Sequence, residues 1–420
     1  MQKSGGAVTH MQQSLINLEE MEALDDIIFL VGSADIINKM PFIQSRIPFD
    51  DDVMSFLNEV SKEIMSIKET RQYADVVTLA FWLRKASLMK LKERFHKQSS
   101  NLHLGKGLAF HIAPSNVPVN YAYSLVTGLL MGNVNIVRVP SKDFPQVRLI
   151  NRAINKCLDK HERVRQYVCL IRYERSSKLN DLLSSIADIR IVWGGDATIA
   201  ELRKSPLKPR ASEITFADRY SLAVIDSDKY LELENKDRIA EDFYNDTYLT
   251  DQNACTSPRM VIWMGEQKKK AKDIFWAELH KVISKKYAYR TIQGVNKLTS
   301  SYLLAVMNEG VKIENTIDNL IVRVNIPNVS ANLMDLKDNS GFFMEYDCDN
   351  IMELRNLCDD ARCQTIGYIG NSNVFMPLLE SGIKGVDRIV PIGNTMDFDL
   401  IWDGYNLYDR MTREIVIDAM

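Results

Sequence analysis

From residue 108 the chain repeats one pattern, a short and continuously apolar run followed by a stretch with apolar residues at helical spacing. The runs are LAFHI (108–112), VNIVRV (134–139), YVCLIRY (167–173) and DIRIVWGG (188–195), and the helical stretches fall at 119–131, 145–158, 176–186 and 196–203. Strands that read as unbroken apolar runs are buried on both faces, which requires a sheet covered by crossover helices. The pattern predicts a doubly wound, largely parallel α/β sheet with ligands at the loops after its strands. Past LAVID (222–226), a polar helix near 235–249, the loop TDQNACTSP (250–258), the strand RMVIWM (259–264) and a long helix from Glu266 open a second α/β unit.

Residues 51–96 read as a helical entry layer, with Val53, Phe56, Leu57, Val60, Ile64 and Ile67 on one face behind the capping candidates Asp51 and Asp52. Charge excludes some functions. With 55 acidic against 52 basic residues and a formal net charge of -3, the chain lacks the basic surplus of a nucleic-acid binder. Its six cysteines have no repeated short spacing, so neither a disulfide framework nor a metal site is expected, and a reducing compartment fits. The N-terminal 26 residues lack the basic and apolar blocks of an export signal, which points to the cytoplasm. The apolar stretch 117–132 is broken by Pro118 and Asn120 and falls short of the ~20 residues a bilayer span needs, so it is read as a buried helix.

Three loops carry the chemistry. APSNVP (113–118) follows a strand and precedes a helix, where the Asn116 amide could donate to an oxyanion or simply shape a turn. WGGD (193–196) offers Gly194 and Gly195 for close approach to a phosphate, with Asp196 as the expected N-cap and Thr198 in the first turn. A capped tight turn is the plain alternative there, and the Asp at the cap opposes an anion. DQNACTSP (251–258) sets Cys255 among hydrogen-bonding residues, unlike Cys157 and Cys169 on apolar faces, and so marks it as a candidate nucleophile.

In this order the loops resemble the aldehyde dehydrogenase superfamily, and within it the LuxC-type acyl-CoA reductases. AFHIAPSNVPVNYAYSLVTGLLMGNVNIVRVPSKD is similar to the superfamily segment around its catalytic Asn, VWGGDAT to the turn under the cofactor pyrophosphate, and DQNACTSP to the cysteine loop of the LuxC type. The tail GVDRIVPIGNTMDFDLIWDGYNLYDRMTR is similar to that subfamily's own, and the likeness covers residues 105–420. It implies a Rossmann-type cofactor domain at 101–228 with a helical layer, 1–100, packed on it. A catalytic domain at 229–390 and a segment 391–420 returning to the cofactor domain complete the expected arrangement.

The resemblance makes Cys255 the nucleophile and Asn116 the oxyanion donor, and puts Gly194, Gly195 and Thr198 at the pyrophosphate. Where hydrolytic members read Glu-Leu-Gly-Gly-Lys, this chain reads TFADR (215–219), so Thr215 stands on the cofactor side in place of the water-activating Glu. Glu213 is two positions away on the same strand face. No segment matches the Glu-Ile-Phe-Gly-Pro that holds the nicotinamide ribose. After the adenosine-side strand, NAD-preferring members read Lys-Pro-Ser-Glu, and here VPSK (139–142) replaces the acid with Lys142, beside Ser141 and Arg138. That implies NADPH. The expected activity is reduction of an acyl-CoA or acyl-protein thioester to an aldehyde through a cysteine acyl-enzyme, without metal. An acyl-protein synthetase is the implied partner and a homo-oligomer the implied state. The alternatives are an aldehyde dehydrogenase making acids, or an α/β scaffold binding nucleotide or protein without turnover.

Overall fold

The computed structural model describes residues 24–97, 101–174, 176–314 and 316–417. Residues 1–23 of the stretch read for an export signal lie outside the described residues. The strands in chain order are β1 Ile28–Val31, β2 Leu102–Gly105, β3 Leu108–Ile112, β4 Val134–Arg138, β5 Val168–Arg172, β6 Ile189–Trp193, β7 Ser212–Phe216, β8 Tyr220–Asp226 and β9 Pro258–Met264. They continue with β10 Lys312–Ile313, β11 Val322–Asn325, β12 Phe342–Asp347, β13 Cys363–Ile369, β14 Arg388–Pro391, β15 Ile401–Trp402, β16 Tyr405–Asn406 and β17 Thr412–Ile415.

The first sheet has the order β1-β5-β4-β3-β6-β7, parallel except at the β1 edge. From β3 the chain winds outward through β4 and β5, then returns to wind the other way through β6 and β7. The order reverses between β3 and β6, where such sheets open a crevice at the carboxyl ends of the strands. β3 and β6 are buried at every position, as their unbroken apolar sequences require. The stretch read as a buried helix is the helix Asn120–Leu130, buried along nearly its whole length.

The entry layer packs into the same core. Its helix Asp51–Ser66 buries Val53, Phe56, Leu57, Val60 and Ile64, but the cap is Asp50, one residue before the expected candidates. The Asp50 carboxylate accepts from the backbone N–H of Asp52 at 3.1 Å and of Val53 at 3.3 Å, satisfying two donors the helix leaves open.

The second sheet has the order β10-β11-β12-β9-β8-β13-β14, with β10 the antiparallel edge. One apolar cluster covers each face. The sheets divide at residues 217–219, not at 228: β8 lies inside the second sheet between β9 and β13. Only these residues separate β7 from β8, and a parallel neighbour in the same sheet needs a crossover of a dozen or more. The link is too short for that crossover, and β8 instead starts the second sheet, parallel to β9 and β13. Beyond β14, Leu400, Trp402, Leu407, Tyr408 and Met411 are buried in the first sheet's core, and β17 pairs antiparallel with β2. Among the described residues no helix is long and apolar enough to cross a membrane.

Candidate active site

The link 217–219 sets the carboxyl edge of the first sheet against the amino edge of the second, and a cavity of about 680 Å³ lies there. Asn116, Gly194, Gly195 and Cys255 line it, so the three loops singled out in the sequence meet at one place.

The cysteine loop is held from several sides. Asp251 and Gln252 both take left-handed backbone, with φ of 52°. The buried Gln252 amide donates to the carbonyls of Pro258 at 3.1 Å and Phe342 at 3.3 Å, and accepts from the N–H groups of Gly341 and Phe342. The Arg259 guanidinium donates to the carbonyls of Asp338 and Gln252. The Ser221 hydroxyl donates to the Cys255 carbonyl at 2.7 Å. These contacts fix the backbone around the sulfur on rigid elements, which a reacting group requires.

All six cysteines are free; five are buried and Cys255 is half-buried. Its thiol is still largely desolvated: burial, with the nearby Asp403 carboxylate adding to it and Arg219 opposing it, pushes its pKa up to about 12. A thiol held there stays protonated near neutrality, so a nucleophilic role would require a proton acceptor. Asn116 is exposed on the wall, and its amide makes no hydrogen bond among the described residues. A residue that only shaped the turn would bond back to the turn's backbone.

Gly195, not Asp196, is the N-cap of the helix Asp196–Leu202; Asp196 is its first residue and no side chain caps it. Gly194 donates its N–H to the Phe216 carbonyl at 3.1 Å and is backed by Thr198, whose Cγ2 would lie 3.1 Å from an added Cβ. A Cβ on Gly195 would meet nothing within 4 Å. An open backbone position at the switch point suits a dinucleotide phosphate. The buried Asn120 Oδ1 on the same wall, which has no hydrogen-bond partner among the described residues, adds an acceptor for a ligand donor.

Other expected residues lie outside the cavity wall. The Arg138 guanidinium sits 4.5 Å over the Tyr173 ring and donates to the Tyr173 carbonyl. Ser141 and Lys142 are exposed, with the Lys142 ammonium 5.0 Å over the Phe144 ring. Thr198 and Thr215 do not line the cavity, whereas Phe216, Ala217, Asp218 and Arg219 do. Glu213 cannot replace the missing Glu: it is held by Arg190 at 2.6 Å and Arg203 at 2.8 Å.

Several lining residues were not foreseen. Asp75 and Thr78 reach the cavity from the entry layer, and Met396, Phe398, Trp402 and Asp403 come from the C-terminal segment. Asp246 fastens that segment, its carboxyl group accepting from the N–H groups of Gly393 at 2.6 Å and Thr395 at 3.2 Å. The tail held one local signal, the Asp-Gly pair in IWDGYN, a strong mark of a tight hairpin.

Two sheets joined so that a cysteine loop faces the switch point of a doubly wound sheet define the aldehyde dehydrogenase fold. Lactaldehyde dehydrogenase from Escherichia coli has it, at a TM-score of 0.59 and 13% identity, covering 87% of this chain and 86% of that one. So does 3,6-anhydro-L-galactose dehydrogenase, solved in complex with NAP, at a TM-score of 0.59 and 10% identity over 94% and 90%. Residues 43–298 match the family of acyl-CoA reductases of the LuxC type, and the chain belongs to that family. The long-chain acyl-protein thioester reductase of Aliivibrio fischeri is 27% identical over 163 residues, 38% of this chain. That match spans only 33% of the relative's length.

Proposed function

We propose that the protein reduces a fatty acyl thioester, acyl-CoA or acyl-protein, to the aldehyde through an acyl group carried on Cys255. The observation that carries this reading is the meeting of Cys255, the one half-buried cysteine, with the exposed Asn116 amide in one cavity of a chain of this family. The name of the A. fischeri relative, a long-chain acyl-protein thioester reductase, supports the substrate class.

In this mechanism the Cys255 sulfur attacks the thioester carbonyl. The Asn116 amide and the Cys255 backbone N–H hold the oxyanion as the tetrahedral adduct forms, and the carrier sulfur then departs. With Thr215 where hydrolytic members have a Glu, no side chain at that position activates water, so the acyl-enzyme persists until it is reduced. Gly194 and Gly195, with Thr198 behind them, would hold the pyrophosphate of NADPH; Ser141, Lys142 and Arg138 would take its adenosine side. Held there, NADPH would supply the hydride that lowers the acyl group to the aldehyde level. Collapse of the resulting hemithioacetal returns the Cys255 thiolate. An acyl-protein synthetase delivering the acyl group, and a cytoplasmic homo-oligomer, are the partner and setting this reading expects.

The test is to mix the protein with hexadecanoyl-CoA and NADPH and follow loss of reduced-cofactor absorbance beside aldehyde formation. Equal amounts of oxidised cofactor and aldehyde are expected. Free acid as the main product, or no turnover with any acyl-CoA, would overturn the reading.

A further inference from the structure

The cavity holds a nucleophile whose proton has no evident acceptor. Cys255 is protonated at neutral pH, position 215 carries no carboxylate, and Glu213 is committed to two arginines. Of the other carboxylates on the wall, Asp251 is bound by Tyr287 and Gln293, and Asp218 is exposed and paired with Lys337 at 3.1 Å. Asp75 sits on the entry layer, where it accepts from the Val76 N–H at 2.9 Å.

Asp403 differs from all three. It occupies the two-residue turn between β15 and β16, with φ of 49° at Asp403 and 71° at Gly404, the left-handed pair that a tight Asp-Gly hairpin requires. This turn aims the carboxylate inward: its side chain is 1% exposed, and it lines the same cavity as Cys255. Oδ1 accepts from the Gln364 amide, while Oδ2 lies 3.9 Å from Arg219 Nε, beyond hydrogen-bond reach, and accepts no hydrogen bond among the described residues. Arg219 belongs to the very segment, TFADR, that lacks the Glu.

We propose that Asp403 is the acid–base residue of acyl transfer, taking the Cys255 thiol proton as the sulfur attacks and returning it to the departing thiol; the inference rests on the acyl-transfer reading above. In the forward step the S–H bond breaks, its proton goes to Asp403 Oδ2, and the sulfur's electron pair forms the new C–S bond. In the collapse the bond to the carrier sulfur breaks, its electron pair stays on that sulfur, and the sulfur takes the proton from Asp403 to leave as the thiol. Nothing is oxidised or reduced in either step. The charged and titratable groups facing Asp403 are Arg219 from the inter-sheet link, Asp387 and Arg388 at β14, Tyr123 from the helix Asn120–Leu130, and Cys255 itself. Burial raises the Asp403 carboxyl to about 7, with Arg219 and Arg388 opposing and Asp387 assisting, so it exchanges protons near neutrality.

The experiment measures single-turnover acylation of Cys255 by hexadecanoyl-CoA, without NADPH, from pH 5.5 to about 9.5, with mass spectrometry as the readout. The parent rate should rise with pH and level off above an inflection near 7. Asp403→Asn should be slower by about 10²–10⁴-fold at pH 7 and should climb with pH without levelling. Asp403→Glu should restore the plateau in part. Gln364→Met removes a donor that favours the carboxylate and should move the inflection to higher pH, which keeps the test decisive if Asp403→Asn does not fold. A parent acylated at Cys255 with Asp403→Asn equally fast, or slower with an unaltered pH profile, overturns this inference alone, as does an unmoved inflection in Gln364→Met. A parent that takes no acyl group overturns the acyl-transfer reading and this inference with it.

Discussion

Replacing Asn116 by Ala separates a catalytic amide from a structural one. The side chain is exposed and makes no hydrogen bond among the described residues, so its removal leaves no buried group unpaired and opens no cavity. Substitutions of that kind usually change stability by no more than ~0.5 kcal/mol. Loss of an oxyanion donor, by contrast, costs roughly 10²–10³ in rate, about 3–4 kcal/mol at the transition state. The variant should therefore keep its melting temperature within about a degree or two while kcat and kcat/KM fall together, because the amide acts mainly in the transition state. Thermal melts run beside steady-state kinetics with hexadecanoyl-CoA decide the matter. A lowered melting temperature with near-normal kcat would make Asn116 a turn residue and refute the assignment.

Other expectations follow from the same geometry. Gly195→Val introduces a side chain where a Cβ meets nothing within 4 Å, so thermal stability should hold while affinity for NADPH, measured by fluorescence titration, falls at least about tenfold; unchanged affinity would remove Gly195 from the cofactor site. Lys142→Glu should lower the ratio of kcat/KM for NADPH over NADH at least about tenfold, or 1.4 kcal/mol, and an unchanged ratio would place the 2′-phosphate elsewhere. Burial raises the Asp246 carboxyl to about 7, so folding favours its protonated form. Its contribution to stability is greatest below the unfolded pKa near 4 and is lost as pH rises through 7. The stability of the parent relative to Asp246→Asn should therefore fall between pH 5 and pH 8 in urea titrations, and a constant difference would contradict the buried, protonated carboxyl.

The parts of the fold legible in the sequence are those where burial is dictated by local pattern. β3 to β6 read as apolar runs because both faces of a parallel sheet are covered, and the helix Asn120–Leu130 because nearly every position is buried. The border at 217–219 was misread because LAVID has the composition of a buried strand, which does not say which sheet takes it. The meeting of Cys255, Asn116 and Gly195 at one cavity was legible because loops at strand ends in a doubly wound sheet converge. Asp403 was not: IWDGYN announces a hairpin, but the wall it faces is set by the return of the C-terminal segment to the first core. Gln252 was hidden for a similar reason, since its partners at 341–342 are far along the chain.

Cys255 is the proposed carrier of the acyl group. Intact-protein and peptide mass spectrometry after incubation with hexadecanoyl-CoA, without NADPH, tests this most directly. A single acyl adduct on the peptide holding Cys255, absent in Cys255→Ala and discharged as aldehyde when NADPH is added, is the predicted result. An adduct that persists in Cys255→Ala, or that maps to Cys157 or Cys348 in the parent, would contradict it.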